Sequence, residues 1–120
     1  MQWVARFRWL VLATVVVLVL LLMPGSDVPT VVSFPHIDLV VHVAIFFGWS
    51  LALVHDVSAV QRTPWLVVPA VLVFGLLSET LQLFASGRSF DLRDVAADLV
   101  GATLAVLAVG IRKRVVRART

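Results

Sequence analysis

The chain has 120 residues, of which 61% are hydrophobic and only 14% are charged, with a formal net charge of +3. Soluble domains carry roughly 25% charged residues, so this composition excludes an ordinary soluble domain and predicts a membrane protein. The chain has no cysteine, which excludes a disulfide framework, a thiolate nucleophile and a cysteine-based metal site.

Four apolar segments predict four membrane-spanning helices. They cover residues 9–23, 39–54, 65–84 and 95–111. The first is short for a bilayer that needs about 20 residues, and it reaches a spanning length if Arg6 and Arg8 extend to the headgroups. A cleaved signal peptide is the alternative, but no A-x-A-like site follows the apolar run. We therefore predict a single all-α domain over residues 1–120, a four-helix transmembrane bundle.

The distribution of basic residues predicts an orientation for this bundle. Eight of the ten fall on one side: Arg6, Arg8, Arg62, Arg112, Lys113, Arg114, Arg117 and Arg119. The positive-inside rule then puts both the N-terminus and the C-terminus in the cytoplasm. Because the C-terminal basic run directly follows a span, we expect it to contact anionic lipid headgroups and not nucleic acid.

The polar residues of the spans lie near the predicted outer side of the membrane. A charged side chain at the centre of a span costs about 2.5–3.5 kcal/mol, so each one requires a partner or a function. Counted along antiparallel helices, these residues reach similar depths in the outer leaflet. They are Asp38 and His42 at the second segment, Glu79 and Gln82 in the third, and Asp91, Asp94 and Asp98 at the fourth.

Each of these residues also has a purely structural interpretation. Asp91 could cap the fourth helix, His42 could pack between helices, and Gln82 could form an interhelical hydrogen bond. Glu79 lies deep enough to require a partner or to remain protonated. A loop folding back would let Arg88 reach it, giving an ion-pair network that ties the helices together. The alternative is a binding or reactive site.

The residues outside this group have simpler interpretations. The predicted inner loop contains His55, Asp56 and Arg62. We expect these residues to be solvated or to contribute only to the orientation of the protein in the membrane. Gly75 and Gly101 are expected to permit close helix approach.

Four motifs together carry a resemblance to a known family. They are Asp38-x-x-x-His42, Glu79-x-x-Gln82-x-Phe84, Gly87-Arg88-Ser89-Phe90-Asp91-Leu92-x-Asp94, and Gly101. This pattern resembles the VanZ-like family, from Asp38 to near the end of the chain. The resemblance implies a small multi-pass protein of the bacterial plasma membrane. The family's name-giving member is linked to teicoplanin resistance.

The sequence departs from the family pattern at two positions. A lysine commonly follows the aspartate of the second-span motif, and here Leu39 stands there. An asparagine commonly precedes the last glycine, and here the residue is Asp98. The first change removes a cation and the second adds a potential anion, so the charge balance differs from that of relatives.

The leading functional hypothesis is binding at the outer face. A guanidinium beside carboxylates and an amide could hold a polar headgroup, with an acyl or isoprenyl chain on the apolar surface. The candidate ligands are lipid-linked envelope precursors and lipoglycopeptides, and the chain could form a homo-oligomer. The predicted binding residues are Asp38, His42, Glu79, Gln82, Arg88, Asp91, Asp94 and Asp98.

The alternative is a membrane-embedded hydrolase or transferase acting on a lipid-linked substrate. Glu79, His42 and Asp94 are the candidate catalytic residues, with Arg88 stabilising a developing anion. The sequence has no recognisable Ser or Cys nucleophile motif and no H-E-x-x-H pair. A metal held by His42, Asp94 and Asp98 would rest on a weak signature, so we predict no metal and no cofactor. A proton-linked transporter ranks last, because the acidic groups stop in one leaflet.

Overall fold

A computed structural model of the chain describes residues 5–22, 37–84 and 91–119. All regular secondary structure in these ranges is helical, which confirms the all-α prediction. A 3-10 turn at Pro64–Leu66 precedes the fourth α-helix. The α-helices are α1 (Arg8–Leu22), α2 (Ile37–Asp56), α3 (Ser58–Arg62), α4 (Val67–Gln82) and α5 (Leu92–Arg119).

Three segments of the described chain are long and apolar enough to cross a membrane. They are Leu39–Asp56, Pro64–Gln82 and Leu92–Arg119. α1 has 15 residues, which at 1.5 Å per residue cover about 22 Å, less than the ~30 Å of a hydrocarbon core. Large aliphatic side chains such as Val73 and Leu77 on α4 are 59% and 61% exposed. Such surface suits contact with lipid better than contact with water.

The core forms where α2 packs against α5 and where aromatic rings fill the space beside that contact. α5 packs against both α2 and α4, and α1 packs against α2. The rings of Trp49 and Phe74 meet edge-on at 4.8 Å, and those of Phe46 and Phe74 at 5.6 Å. A Cβ atom built on Gly101 of α5 would lie 2.5 Å from the carbonyl oxygen of Val43 on α2. The glycine therefore permits the close approach of these two helices.

Hydrogen bonds define which helix ends lie together. At one end, Lys113 Nζ donates to the carbonyl oxygen of Gln61 at 2.9 Å, and the N–H of Leu10 donates to Asp56 at 2.7 Å. We call this the basic end. The opposite end is marked by Gln82 Nε2, which donates to the carbonyl oxygen of Leu21 at 2.7 Å. α1, α2, α4 and α5 therefore alternate in direction.

The C-terminal basic residues belong to a helix. α5 has 28 residues and continues without interruption to Arg119. The basic run expected after residue 111 thus extends the same helix beyond its apolar part, and its side chains are exposed.

Asp56 differs from the expectation of a solvated inner-loop residue. Its side chain is only 3% exposed, because it accepts the N–H of Leu10 near the start of α1. This contact satisfies one of the N–H groups that a helix leaves unpaired at its first turn. His55 and Arg62 are exposed, as expected.

We expect Asp56→Ala to lower the free energy of unfolding by about 1–3 kcal/mol, because the partly buried N–H of Leu10 would lose its acceptor. Thermal unfolding of the purified protein in detergent would measure the change. Gln61→Ala is the control, since the Gln61 side chain is exposed at the same end of the molecule. Equal melting temperatures for the two variants would contradict the prediction.

Candidate functional site

An imidazole held between α2 and α5 forms the centre of the candidate site. His42 Nδ1 lies 2.7 Å from Asp98 Oδ1, and His42 Nε2 lies 3.6 Å from Asp94 Oδ2. His42 is 3% exposed and Asp98 is completely buried. One helical turn further along α2, the ring of Phe46 stacks on the imidazole with an angle of 8° between the planes. These contacts fix the orientation of the ring.

Glu79 completes the site from α4. Its side chain is completely buried, and its Oε2 accepts the main-chain N–H of Asp91 at 3.2 Å. Its Oε1 is buried and has no hydrogen-bond partner within residues 5–22, 37–84 and 91–119. His42, Glu79, Asp94 and Asp98, which we call the polar cluster, thus bring α2, α4 and α5 together near one end of the molecule.

Gly75 makes room for the carboxylate of Asp98. A Cβ atom built on Gly75 would lie 2.8 Å from Asp98 Oδ2. This oxygen is also buried, and no group in the described part of the chain donates a hydrogen bond to it. The sequence predicted close helix approach at Gly75 but did not connect it with the site. The sequence feature that could have indicated this connection is that Gly75 lies one turn before Glu79 on the same helix.

Gln82 and Asp91 make structural contacts beside the polar cluster. The buried amide of Gln82 donates to the last turn of α1. Asp91 Oδ1 accepts the main-chain N–H of Arg93 at 2.9 Å, which is the geometry of a helix N-cap. Its Oδ2 pairs with the Arg93 guanidinium at 3.2 Å. The N–H and the guanidinium of Arg93 lower the pKa of Asp91.

Two predicted site residues fall beyond what the structure describes. Arg88 lies outside the described residues. Asp38 belongs to the first turn of α2, but its side chain is outside the described part. Their predicted roles therefore remain predictions.

Comparison with known proteins identifies the family. A family model described as VanZ/LLP1 matches residues 8–113. The chain belongs to this family. The resemblance that the motifs predicted is therefore confirmed.

A relative of this VanZ/LLP1 protein occurs in a fungus. An uncharacterized protein of Schizosaccharomyces pombe is 37% identical over 75 residues, which cover 61% of this chain and 46% of the yeast protein. The chain thus matches less than half of that relative's length. No solved structure matches the chain.

Three members of the polar cluster could hold a cation. His42, Glu79 and Asp94 each offer a ligand atom within 4.8 Å of those of the other two. The sequence considered His42 with Asp94 and Asp98 for this role. In the structure the third candidate ligand beside His42 and Asp94 is Glu79 and not Asp98. Asp98 instead contacts Nδ1, the other nitrogen of the imidazole.

The polar cluster has the parts of a binding or acid–base site. An imidazole is oriented by one carboxylate, and a second carboxylate faces its other nitrogen. Glu79 carries an acceptor oxygen that no described residue donates to. Such groups accept N–H and O–H donors, hold cations or transfer protons. Asp94 is the more open member, with 17% of its side chain exposed.

A second feature of this VanZ/LLP1 protein lies toward the basic end. A largely apolar groove runs between α1, α2 and α5, with side chains such as Ala13, Ile45 and Val109 along it. Arg112 and Arg117 line the same groove. It therefore combines apolar walls with positive charge.

Proposed function

We propose that this VanZ/LLP1 protein binds a lipid-linked component of the bacterial envelope, or a lipoglycopeptide, through its polar cluster and so contributes to antibiotic resistance. The observation that carries the proposal is a pair of buried acceptor oxygens, Glu79 Oε1 and Asp98 Oδ2, which have no hydrogen-bond partner in the part of the chain that the structure describes. A buried acceptor left unpaired costs about 1–3 kcal/mol. A ligand that supplies an N–H or O–H donor recovers this free energy on binding.

The proposal includes a topology. α1, α2, α4 and α5 form a four-helix transmembrane bundle in the plasma membrane, with α1 as the shortest span. Both termini are cytoplasmic, because the basic end carries most of the Lys and Arg residues. The polar cluster is then in the outer leaflet, where envelope precursors and glycopeptide antibiotics are present.

The chemistry of the ligand follows from the groups around the site. Amine and hydroxyl donors of a peptide or sugar headgroup fit the carboxylates of Glu79 and Asp94. Arg88, in the family motif, supplies a bidentate partner for a phosphate or carboxylate, and Asp38 supplies a further acceptor. The exposed aliphatic surface of α4 accommodates the lipid chain.

The protein has two further proposed partners. Anionic lipids of the inner leaflet contact the basic C-terminal part of α5, with an acyl chain in the groove beside Arg112 and Arg117. A second copy of the chain would cover part of the exposed apolar surface. The mass of the protein–detergent complex would show whether a second copy of the chain is bound.

We expect Glu79→Gln and Arg88→Ala to lower retention of lipid-linked envelope precursor by about tenfold or more, which corresponds to losing one charge-assisted contact of 1.5–3 kcal/mol. Native mass spectrometry of protein extracted from a bacterial membrane measures bound precursor directly. The same variants should lose any protection against teicoplanin that the unaltered protein gives to a host lacking the gene.

Arg62→Ala is the matched control for this experiment, because Arg62 is an exposed arginine at the basic end. It should retain precursor like the unaltered protein. Equal retention by all four proteins, at equal membrane levels, would refute the binding proposal.

The second candidate function is hydrolysis or group transfer on a lipid-linked substrate. The Asp98–His42 contact favours it, since a carboxylate that orients an imidazole is the usual arrangement of a general base. Glu79 would then act as the second acid–base group. Turnover of precursor by purified protein, lost in Glu79→Gln, would distinguish an enzyme from a binding protein.

A further inference from the structure

The polar cluster has the donor set of a transition-metal site. His42 Nε2 and Asp94 Oδ2 are 3.6 Å apart. Two atoms that each lie about 2.0–2.1 Å from one tetrahedral Zn²⁺ ion are about 3.3–3.4 Å apart. A shift of a few tenths of an ångström therefore brings these two atoms to ligating distance. Glu79 is the third donor, within 4.8 Å of both.

Glu79 gives an independent indication that the cluster binds a cation. Its side chain is completely buried, and Oε1 has no hydrogen-bond partner among the described residues. Buried carboxylate oxygens in proteins are normally hydrogen-bonded, ion-paired or bound to metal. A cation held between His42 and Asp94 would lie within reach of the Glu79 carboxylate and so give it a partner.

Asp98 positions the imidazole in the way that carboxylates position metal-binding histidines. With the Nδ1 proton donated to Asp98 Oδ1 at 2.7 Å, the lone pair of Nε2 is directed toward Asp94. Such carboxylate–histidine–metal arrangements fix the tautomer and raise the basicity of the ligand. Asp98 is completely buried, so the arrangement is held by the helix packing.

We propose that His42, Glu79 and Asp94 bind a divalent transition-metal ion and that Asp98 is a positioning residue for His42. One imidazole nitrogen with two carboxylates suits Zn²⁺ better than Mg²⁺ or Ca²⁺, which prefer oxygen ligands alone. Asp94 is the partly exposed member of the three, with 17% of its side chain exposed. In this inference a cation takes the place at Glu79 that a headgroup donor has in the proposed function. It goes beyond the proposed lipid binding, since cation binding is measured without lipid.

The test uses the full chain, purified in detergent and stripped of metal with EDTA. Titration with Zn²⁺ should show one ion bound per chain, measured by calorimetry and by metal analysis after dialysis. Mg²⁺ and Ca²⁺ should bind at least a hundredfold more weakly. X-ray absorption at the zinc edge should show one imidazole nitrogen and oxygen ligands at about 2.0–2.1 Å.

Variants separate the ligands from the positioning residue. His42→Ala and Glu79→Gln should weaken Zn²⁺ binding by a hundredfold or more. Asp98→Asn should weaken it about 10–100-fold without removing the imidazole from the zinc absorption spectrum. His55→Ala is the matched control, because His55 also pairs with an aspartate, at 2.8 Å, but is exposed at the basic end. It should bind Zn²⁺ like the unaltered protein.

Three results would overturn the proposal. They are substoichiometric Zn²⁺ in the unaltered protein, equal affinity in folded His42→Ala, or equal affinity for Mg²⁺. If the variants do not fold, the absorption spectrum of the unaltered protein decides. A zinc shell without an imidazole nitrogen excludes this site. A shell with one imidazole nitrogen that both His36→Ala and His55→Ala leave unchanged supports it, since His42 is then the remaining histidine of the chain.

Discussion

Gly101→Ala is expected to lower the free energy of unfolding by about 3 kcal/mol, at the upper end of the usual cost of overpacking. The added Cβ would lie 2.5 Å from the carbonyl oxygen of Val43 and 3.0 Å from the main-chain nitrogen of Phe47. Both atoms belong to the backbone of α2, so no side-chain rotation relieves the contact. α2 and α5 would have to separate. Because His42 precedes Val43 and Asp98 lies one turn before Gly101, the same shift should break their contact.

Gly110→Ala is the control for this prediction. Gly110 lies on the same helix, and a Cβ atom there would have nothing within 4 Å. Alanine is the better helix former by about 1 kcal/mol, so this variant should be neutral or slightly more stable. Unfolding in a series of denaturing detergent mixtures would measure both variants. Equal stability of the two would show that the α2–α5 approach does not depend on Gly101.

Of the eight predicted site residues, the structure brings His42, Glu79, Asp94 and Asp98 together. The sequence did not predict how these four pair. Depth along antiparallel helices follows from 1.5 Å per residue, so residue counting alone placed His42, Glu79 and Asp98 at a common level. Pairing depends on how far each helix is rotated and how closely it approaches its neighbour. Gly75 and Gly101 set these distances through packing that only the folded chain shows.

Contacts of the main chain were the other part that sequence reasoning missed. The interhelical hydrogen bond that was one prediction for Gln82 is confirmed, but the sequence did not indicate that its acceptor is the main-chain carbonyl of Leu21. Asp56 was expected to be solvated and instead accepts an N–H of α1. Helix ends leave N–H and C=O groups unpaired, but the sequence does not say which distant side chain reaches them.

The contact between His42 and Asp98 should be the strongest side-chain pair of the described structure. Removing one partner of a buried ion pair typically costs about 3–5 kcal/mol, because the other partner is left uncompensated. We therefore expect His42→Ala and Asp98→Ala each to be strongly destabilising and the double variant to cost much less than their sum. A double-mutant cycle, measured by unfolding in EDTA so that no metal contributes, should give a coupling of about 2 kcal/mol or more.

The chain contains its own control for this cycle. His55 and Asp56 have almost the same nitrogen–oxygen distance, 2.8 Å against 2.7 Å, but the side chain of His55 is 69% exposed and that of His42 is 4% exposed. Solvent screens the exposed pair, so its coupling should be below about 1 kcal/mol. We expect this small coupling even though Asp56→Ala is itself costly. The loss of the Asp56–Leu10 contact is common to the single and the double variant, so it cancels in the cycle. Similar couplings for both pairs would mean that burial does not strengthen the His42–Asp98 contact. A large coupling for the buried pair alone would make that contact a rigid support on which the chemistry of Glu79 and Asp94 depends.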